Sequence, residues 1–137
     1  MIEHRHSLRV RYSETDQMGY VYYGNYAAYF EVARVEAMRQ IGIEYSKLEK
    51  DHHIWMPVVN MHCRFLRPGR YDEELTIITQ IRKLPNMSIA FDYEILNESK
   101  KIVTAARVNL CFIDAKTEKR IHAPAFIIEK LKPYFDA

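Results

Sequence analysis

The chain has 137 residues, with 20 basic and 18 acidic side chains and a net charge of +2. That balance gives no bulk electrostatic reason to expect nucleic acid or an anionic membrane as a partner, and the basic residues form no long run. Length and apolar content suit one domain with its own core, and no linker or repeat divides the chain.

The N-terminal stretch MIEHRHSLRV has no apolar run of the signal-peptide kind. No segment nears the ~20 apolar residues of a membrane span. A cytoplasmic protein without membrane insertion is expected. Cys63 and Cys111 lie in apolar, strand-like stretches and read as free thiols, and no pair of cysteines has zinc spacing.

Residues 6–12, HSLRVRY, alternate Leu8, Val10 and Tyr12 with Ser7, Arg9 and Arg11, which predicts a strand. The HRH run at 4–6 reads as a frayed terminus rather than a metal cluster. A loop of turn formers follows, SETDQMGYVYYG. Then Tyr26, Tyr29, Phe30, Ala33, Ala37 and Ile41 fall on one helical stripe. Asn25 is placed to cap the first turn through its side chain, and Gly42 to end the helix. A short second helix is expected over 44–51.

Strands are expected at 54–66, 73–83, 87–97 and 102–113, joined by RPGRYD, LPN and NESK. Such short connections suit antiparallel neighbours. Pro124 precedes a C-terminal helix in AFIIEKLKPYF. One striped helix and five strands predict an α+β fold in which the helix packs on a largely antiparallel sheet. Glu31 and Arg34 have the spacing of a structural salt bridge. Val58 and Val59, after Pro57, read as core. His62 and Cys63 are adjacent on a strand and point to opposite faces, so they form no Cys–His nucleophile. His52 and His53 read as lone surface residues.

The stretch D16-Q-M-G19-Y-V-Y-Y-G-N-Y26 resembles the active-site motif of hotdog-fold acyl-CoA thioesterases. Within them it is similar to the 4-hydroxybenzoyl-CoA thioesterase family, including the short-chain acyl-CoA thioesterases associated with the bacterial Tol–Pal system. The likeness extends to RVRYSETD before the motif, YFEVARVEAMRQIG after it, and FLRPGRYDEELTIITQI at 65–81. The resemblance implies a five-stranded antiparallel sheet curled around the long helix. It also implies a homodimer or homotetramer with sites at the subunit interface, and acyl-CoA or acyl carrier protein thioesters as substrates.

By that resemblance Asp16 is the catalytic carboxylate, and the N–H of Tyr23, or of Gly24 beside it, is the oxyanion donor. A helix start leaves unpaired N–H groups and a partial positive charge, which stabilise the oxyanion that forms on a thioester carbonyl. Asp16 either attacks directly or acts as general base on water. Thioesters are activated enough that neither a metal nor another cofactor is required. A loop-capping role is the structural alternative for Asp16.

Gly19 allows a positive φ or close approach of substrate, and Gly24 leaves room for the sulfur-bearing arm. Tyr22 and Tyr23 are candidates for the acyl pocket, and Tyr26 for the pocket or the core. Many relatives carry histidine at the Tyr23 position; tyrosine there removes any histidine-assisted step. The resemblance places Val58 and Val59 on a strand that shapes the pocket. Arg82 and Lys83, with Arg64, Arg67 or Arg70, are candidates for the CoA phosphates, although LPNMS at 84–88 replaces the basic run of the family's type member. Glu31 is the reserve catalytic carboxylate. A non-catalytic acyl-thioester binder is the alternative of another class, and a hotdog dehydratase is disfavoured because no histidine lies on the long helix.

Overall fold

The computed structural model describes residues 1–135. In chain order the elements are β1 (Ile2–Arg9), α1 (Tyr26–Gln40), α2 (Tyr45–Asp51), β2 (Ile54–Trp55), β3 (Val58–Phe65), β4 (Glu74–Ile81), β5 (Ser88–Leu96), β6 (Ile102–Asp114), β7 (Lys119–Ile121) and α3 (Ala125–Leu131). The antiparallel sheet runs β1–β4–β5–β6, with β3 on the other side of β6 and the short strands β2 and β7 pairing with the end of β6. The five expected strands and the long helix are present, and the sheet curls around α1 as the hotdog expectation requires.

Alternation in β4 and β5 drives this arrangement. Leu75, Ile77, Thr79 and Ile81 are buried on one face, as are Ile89, Phe91, Tyr93 and Ile95 on the next strand. Gln80, Asp92 and Glu94 take the other face. Helix α1 covers the apolar face with Tyr26, Tyr29, Phe30, Ala33, Ala37 and Met38. Phe30 stacks on Tyr93 with ring centroids 4.6 Å apart. Gly42 ends the helix region at φ +88°, as its sequence position suggests.

Several expectations are corrected. The HRH run is not frayed: β1 begins at Ile2 and pairs in register with β4 from Ile2↔Ile81 to Arg9↔Glu74. The strand therefore ends before Tyr12, which enters a 3₁₀ turn. The stretch 54–66 splits into β2 and β3 around Met56 and Pro57, since proline has no N–H for the ladder. Strand β7 was not expected, because a three-residue strand carries too little periodicity to read.

Val58 and Val59 are not core; each is 51% exposed. They lie on β3, which pairs only with β6 and leaves its other edge open. The Glu31–Arg34 salt bridge is absent. Arg34 shares a helix face with Phe30 and Met38 and is carried into the core, while Glu31 stays exposed. There Arg34 Nη1 donates to the Tyr93 hydroxyl at 3.3 Å. Its Nε and the nearby Tyr45 hydroxyl are buried without hydrogen-bond partners among the described residues. Burial pushes the Tyr93 hydroxyl up to about 12, against the pull of the Arg34 charge. Both cysteines are free thiols, Cys111 buried and Cys63 half-buried.

Candidate active site

The loop between β1 and α1 is built around Asp16. The Asp16 N–H donates to the Tyr20 carbonyl at 2.8 Å, and the Gly19 N–H donates to the Asp16 carbonyl at 3.0 Å. Gly19 holds φ +76°, which a side chain would strain. The carboxylate is used unevenly. Oδ1 accepts the N–H of Met18 at 2.9 Å and of Tyr20 at 3.2 Å. Oδ2 has no partner among the described residues. The loop-capping role and a free carboxylate oxygen thus coexist in one side chain.

The connection between β3 and β4 braces this loop from outside. Val21 N–H donates to the Gly69 carbonyl at 2.8 Å, and Tyr71 N–H to the Gly19 carbonyl at 3.0 Å. Gly69 is pressed in: a Cβ there would lie 3.1 Å from the Tyr26 hydroxyl and 3.1 Å from Val21 Cγ2. The Arg70 guanidinium lies over the Tyr20 ring, 5.0 Å from its centroid.

Helix α1 is entered through a 3₁₀ turn at Tyr23–Asn25. Asn25 does not cap it. Its backbone is already helical, at φ −77° and ψ −17°, so its side chain points away from the first turn. Asn25 Nδ2 donates instead to the Glu14 carbonyl at 2.8 Å. Tyr22 N–H donates to the same carbonyl at 2.9 Å. The next two N–H groups, of Tyr23 and Gly24, are unpaired among the described residues. They are the open donors of the helix start.

Glu14 was missed in the sequence, where it reads as one more polar residue of a loop. Its carboxylate side chain is 14% exposed. Oε1 accepts the Arg11 N–H at 2.8 Å and the Tyr29 hydroxyl at 3.0 Å, while Oε2 faces the Arg11 guanidinium at 2.9 Å. Burial would raise the Glu14 carboxyl, but these donors hold it below the usual carboxylate range. Burial and the Glu14 charge together push the Tyr29 hydroxyl far up.

Asp16 lies at the edge of an open groove of about 450 Å³ walled by Met18, Tyr20, Tyr23, Phe65, Leu66 and Pro68, with buried Tyr26 at its base. The Phe65 ring sits 6.2 Å from Tyr23 and 5.6 Å from Tyr26, centroid to centroid. Phe65 was not expected here: it ends a strand whose contact with the helix start is set only by the tertiary fold. Asp16, Tyr23 and Tyr26 thus share this groove, while Gly19 lies in the Asp16 loop and Gly24 follows Tyr23 in the 3₁₀ turn without lining it. Tyr22 lies against Tyr23 at 4.9 Å but does not line the groove. Val58 and Val59 sit at the far end of β3. Arg82 and Lys83 line a separate recess of about 240 Å³ with Asp92 and Arg107, where Arg82 pairs with Asp92 at 3.2 Å.

Residues 18–104 match the family model described as "Thioesterase superfamily". The chain belongs to that superfamily. The match covers more than half of the chain and begins two residues after Asp16. The protein is a hotdog-fold thioesterase, a thioester hydrolase. It is 29% identical over 128 residues to the acyl-CoA thioester hydrolase YbgC of Escherichia coli O6:H1, spanning 93% of this chain and 95% of that one. A solved DHNA-CoA thioesterase from Staphylococcus aureus is 32% identical, with a TM-score of 0.84 over 98% of this chain and 85% of that chain. A structure of a 4-hydroxybenzoyl CoA thioesterase mutant with 4-hydroxybenzoyl CoA shares the fold at a TM-score of 0.86 and 21% identity, covering 95% and 99% of the two chains. No helix among the described residues of this thioesterase is long and apolar enough to cross a membrane.

Proposed function

We propose that the protein hydrolyses acyl-CoA thioesters, with Asp16 as the reacting carboxylate and the N–H groups of Tyr23 and Gly24 as oxyanion donors. The observation that carries this reading is the division of labour at Asp16: Oδ1 is held by two loop N–H groups, Oδ2 has no partner among the described residues, and Asp16 lines an apolar groove whose wall includes Tyr23 of the helix start. The acyl group lies along Tyr23, Phe65 and Leu66. Its carbonyl oxygen takes the Tyr23 and Gly24 N–H groups as the C–S bond weakens, a type of contact that contributes roughly 3–4 kcal/mol in other enzymes.

Two routes use the same geometry. In one, Asp16 Oδ2 attacks the carbonyl carbon, CoA thiolate leaves, and water cleaves the resulting mixed anhydride. In the other, Asp16 takes a proton from water, the water oxygen forms the new C–O bond, and the proton ends on the departing thiol. Rapid quenching into hydroxylamine during turnover separates them, because only the first forms an enzyme-bound acyl species.

Arg82 and Lys83 are proposed to hold CoA phosphates; their recess brings three cations, with Arg107, around one carboxylate, Asp92. A homodimer is proposed through β3, whose open edge carries exposed Val59, Met61 and Phe65. Met61→Lys should then lower the mass measured by sedimentation. The cytoplasm is the proposed compartment, supported by two free thiols.

The test is thiol release from short, long and aromatic acyl-CoAs by the wild type and Asp16→Asn. Turnover that falls by orders of magnitude in the folded variant supports the reading and gives the acyl class. Turnover that survives moves the role to another carboxylate, Glu31 first. Turnover of acyl carrier protein thioesters alone replaces CoA as the substrate.

A further inference from the structure

We infer that Glu14 is a positioning residue that fixes the Asp16 carboxylate relative to the Tyr23 and Gly24 N–H groups. The inference rests on the reading of Asp16 given above. Asp16 is two residues downstream of Glu14 in the loop, whereas the open N–H groups belong to the helix start. Something must hold these two segments in one geometry. Among the described residues, both side-chain bonds from the helix side to the 12–20 loop end on Glu14. Asn25 Nδ2 reaches its carbonyl at 2.8 Å, and the Tyr29 hydroxyl reaches Oε1 at 3.0 Å. The same carbonyl takes the Tyr22 N–H at 2.9 Å, one residue before the open donors.

A surface ion pair with Arg11 does not account for this arrangement. The Arg11 side chain is 77% exposed and Glu14 only 14%. An exposed guanidinium contributes little by itself. Tyr29 is 3% exposed, and its hydroxyl has Glu14 as its partner. A buried tyrosine hydroxyl directed at a half-buried carboxylate from the helix is a cross-brace between helix and loop. Its registry, rather than its energy, is what the reaction uses, since displacement by about 1 Å costs on the order of 100-fold in rate.

The experiment compares Glu14→Ala, Glu14→Gln and Tyr29→Phe with the wild type and Asp16→Asn. It uses steady-state kinetics on the best acyl-CoA and amide hydrogen exchange. Tyr29→Phe is nearly isosteric and leaves the Arg11 bonds in place, so it serves even where Glu14→Ala fails to fold. The expected result is a kcat lowered about 10- to 100-fold in Glu14→Ala and Tyr29→Phe, with KM within about twofold. Glu14→Gln, which keeps an acceptor for Tyr29, recovers most of kcat. The Tyr22 amide exchanges faster in the two damaging variants, while amides of β4 and β5 do not.

Unchanged kcat and unchanged Tyr22 exchange in the folded variants overturn the inference. Acceleration of all slow amides together also overturns it, because Glu14 would then support the whole fold rather than the site. Turnover that survives in Asp16→Asn, or is absent from the wild type on every thioester, overturns the Asp16 reading and the catalytic purpose of the brace with it. Exchange at Tyr22 distinguishes that failure, since it reports the brace without turnover.

Discussion

Asp16 and Tyr20 hold each other twice: the Asp16 N–H donates to the Tyr20 carbonyl at 2.8 Å, and the Tyr20 N–H donates to Asp16 Oδ1 at 3.2 Å. This reciprocal pair closes the loop on itself and turns one face of the carboxylate inward. The other oxygen has no partner among the described residues.

The pair separates structural from chemical loss at Asp16. Asparagine can keep an oxygen at the Oδ1 position, so Asp16→Asn should unfold within about 1 kcal/mol of the wild type while losing thioester hydrolysis. Asp16→Ala leaves the Met18 and Tyr20 N–H groups without their acceptor and should cost a further ~1–2 kcal/mol. Urea unfolding of both variants, beside their thiol-release rates, checks this.

Gly69 tests how closely the outer connection presses on the site. A methyl group there meets Tyr26 and Val21 at 3.1 Å, and neither is free to withdraw, since both are buried. Gly69→Ala should lose about 1–3 kcal/mol of stability by overpacking. It should also lower kcat by shifting Tyr26 at the base of the groove. Thermal unfolding and steady-state kinetics read the two effects separately.

Arg34 predicts a non-additive pair. Arg34→Met removes a buried cation but strands the Tyr93 hydroxyl that it supports at 3.3 Å. The single change should destabilise by roughly 1–3 kcal/mol. Adding Tyr93→Phe removes the stranded group, so the double variant should be more stable than Arg34→Met alone. A double-mutant cycle by chemical denaturation decides it, and strictly additive losses would contradict the account.

The Glu14 carboxyl is held below its ordinary pKa in the folded state. Its contribution to stability is therefore complete above the unfolded value, ~4.3, and is lost as pH falls through the lowered folded value. Glu14→Gln should flatten that part of the acid limb. Unfolding midpoints between about pH 2 and pH 6 for the two proteins measure the difference.

Periodicity and punctuation made the α+β architecture legible in the sequence. The alternation of Leu75, Ile77, Thr79 and Ile81 and the stripe from Tyr26 to Ile41 are local properties of the chain, and each specifies which face is buried. Turn formers directly before a striped helix marked a helix start, and it was the family resemblance that singled out Asp16 there, with Tyr23 or Gly24 as the oxyanion donor. The order of those residues carried that resemblance.

Only the tertiary structure decided the rest, because contacts across long sequence separations have no local signature. Arg34 looked like the surface partner of Glu31, but the helix rotation that packs Phe30 and Met38 inward takes Arg34 with them. Val58 and Val59 have the composition of core, yet the sheet leaves β3 at its edge. Phe65, at the end of β3, meets Tyr23 only once the sheet has closed around α1. The motif residues and the local bonds that engage Asp16 Oδ1 lie within a dozen consecutive positions; the wall of Phe65, Leu66 and Pro68 that completes the groove follows from how distant segments pack.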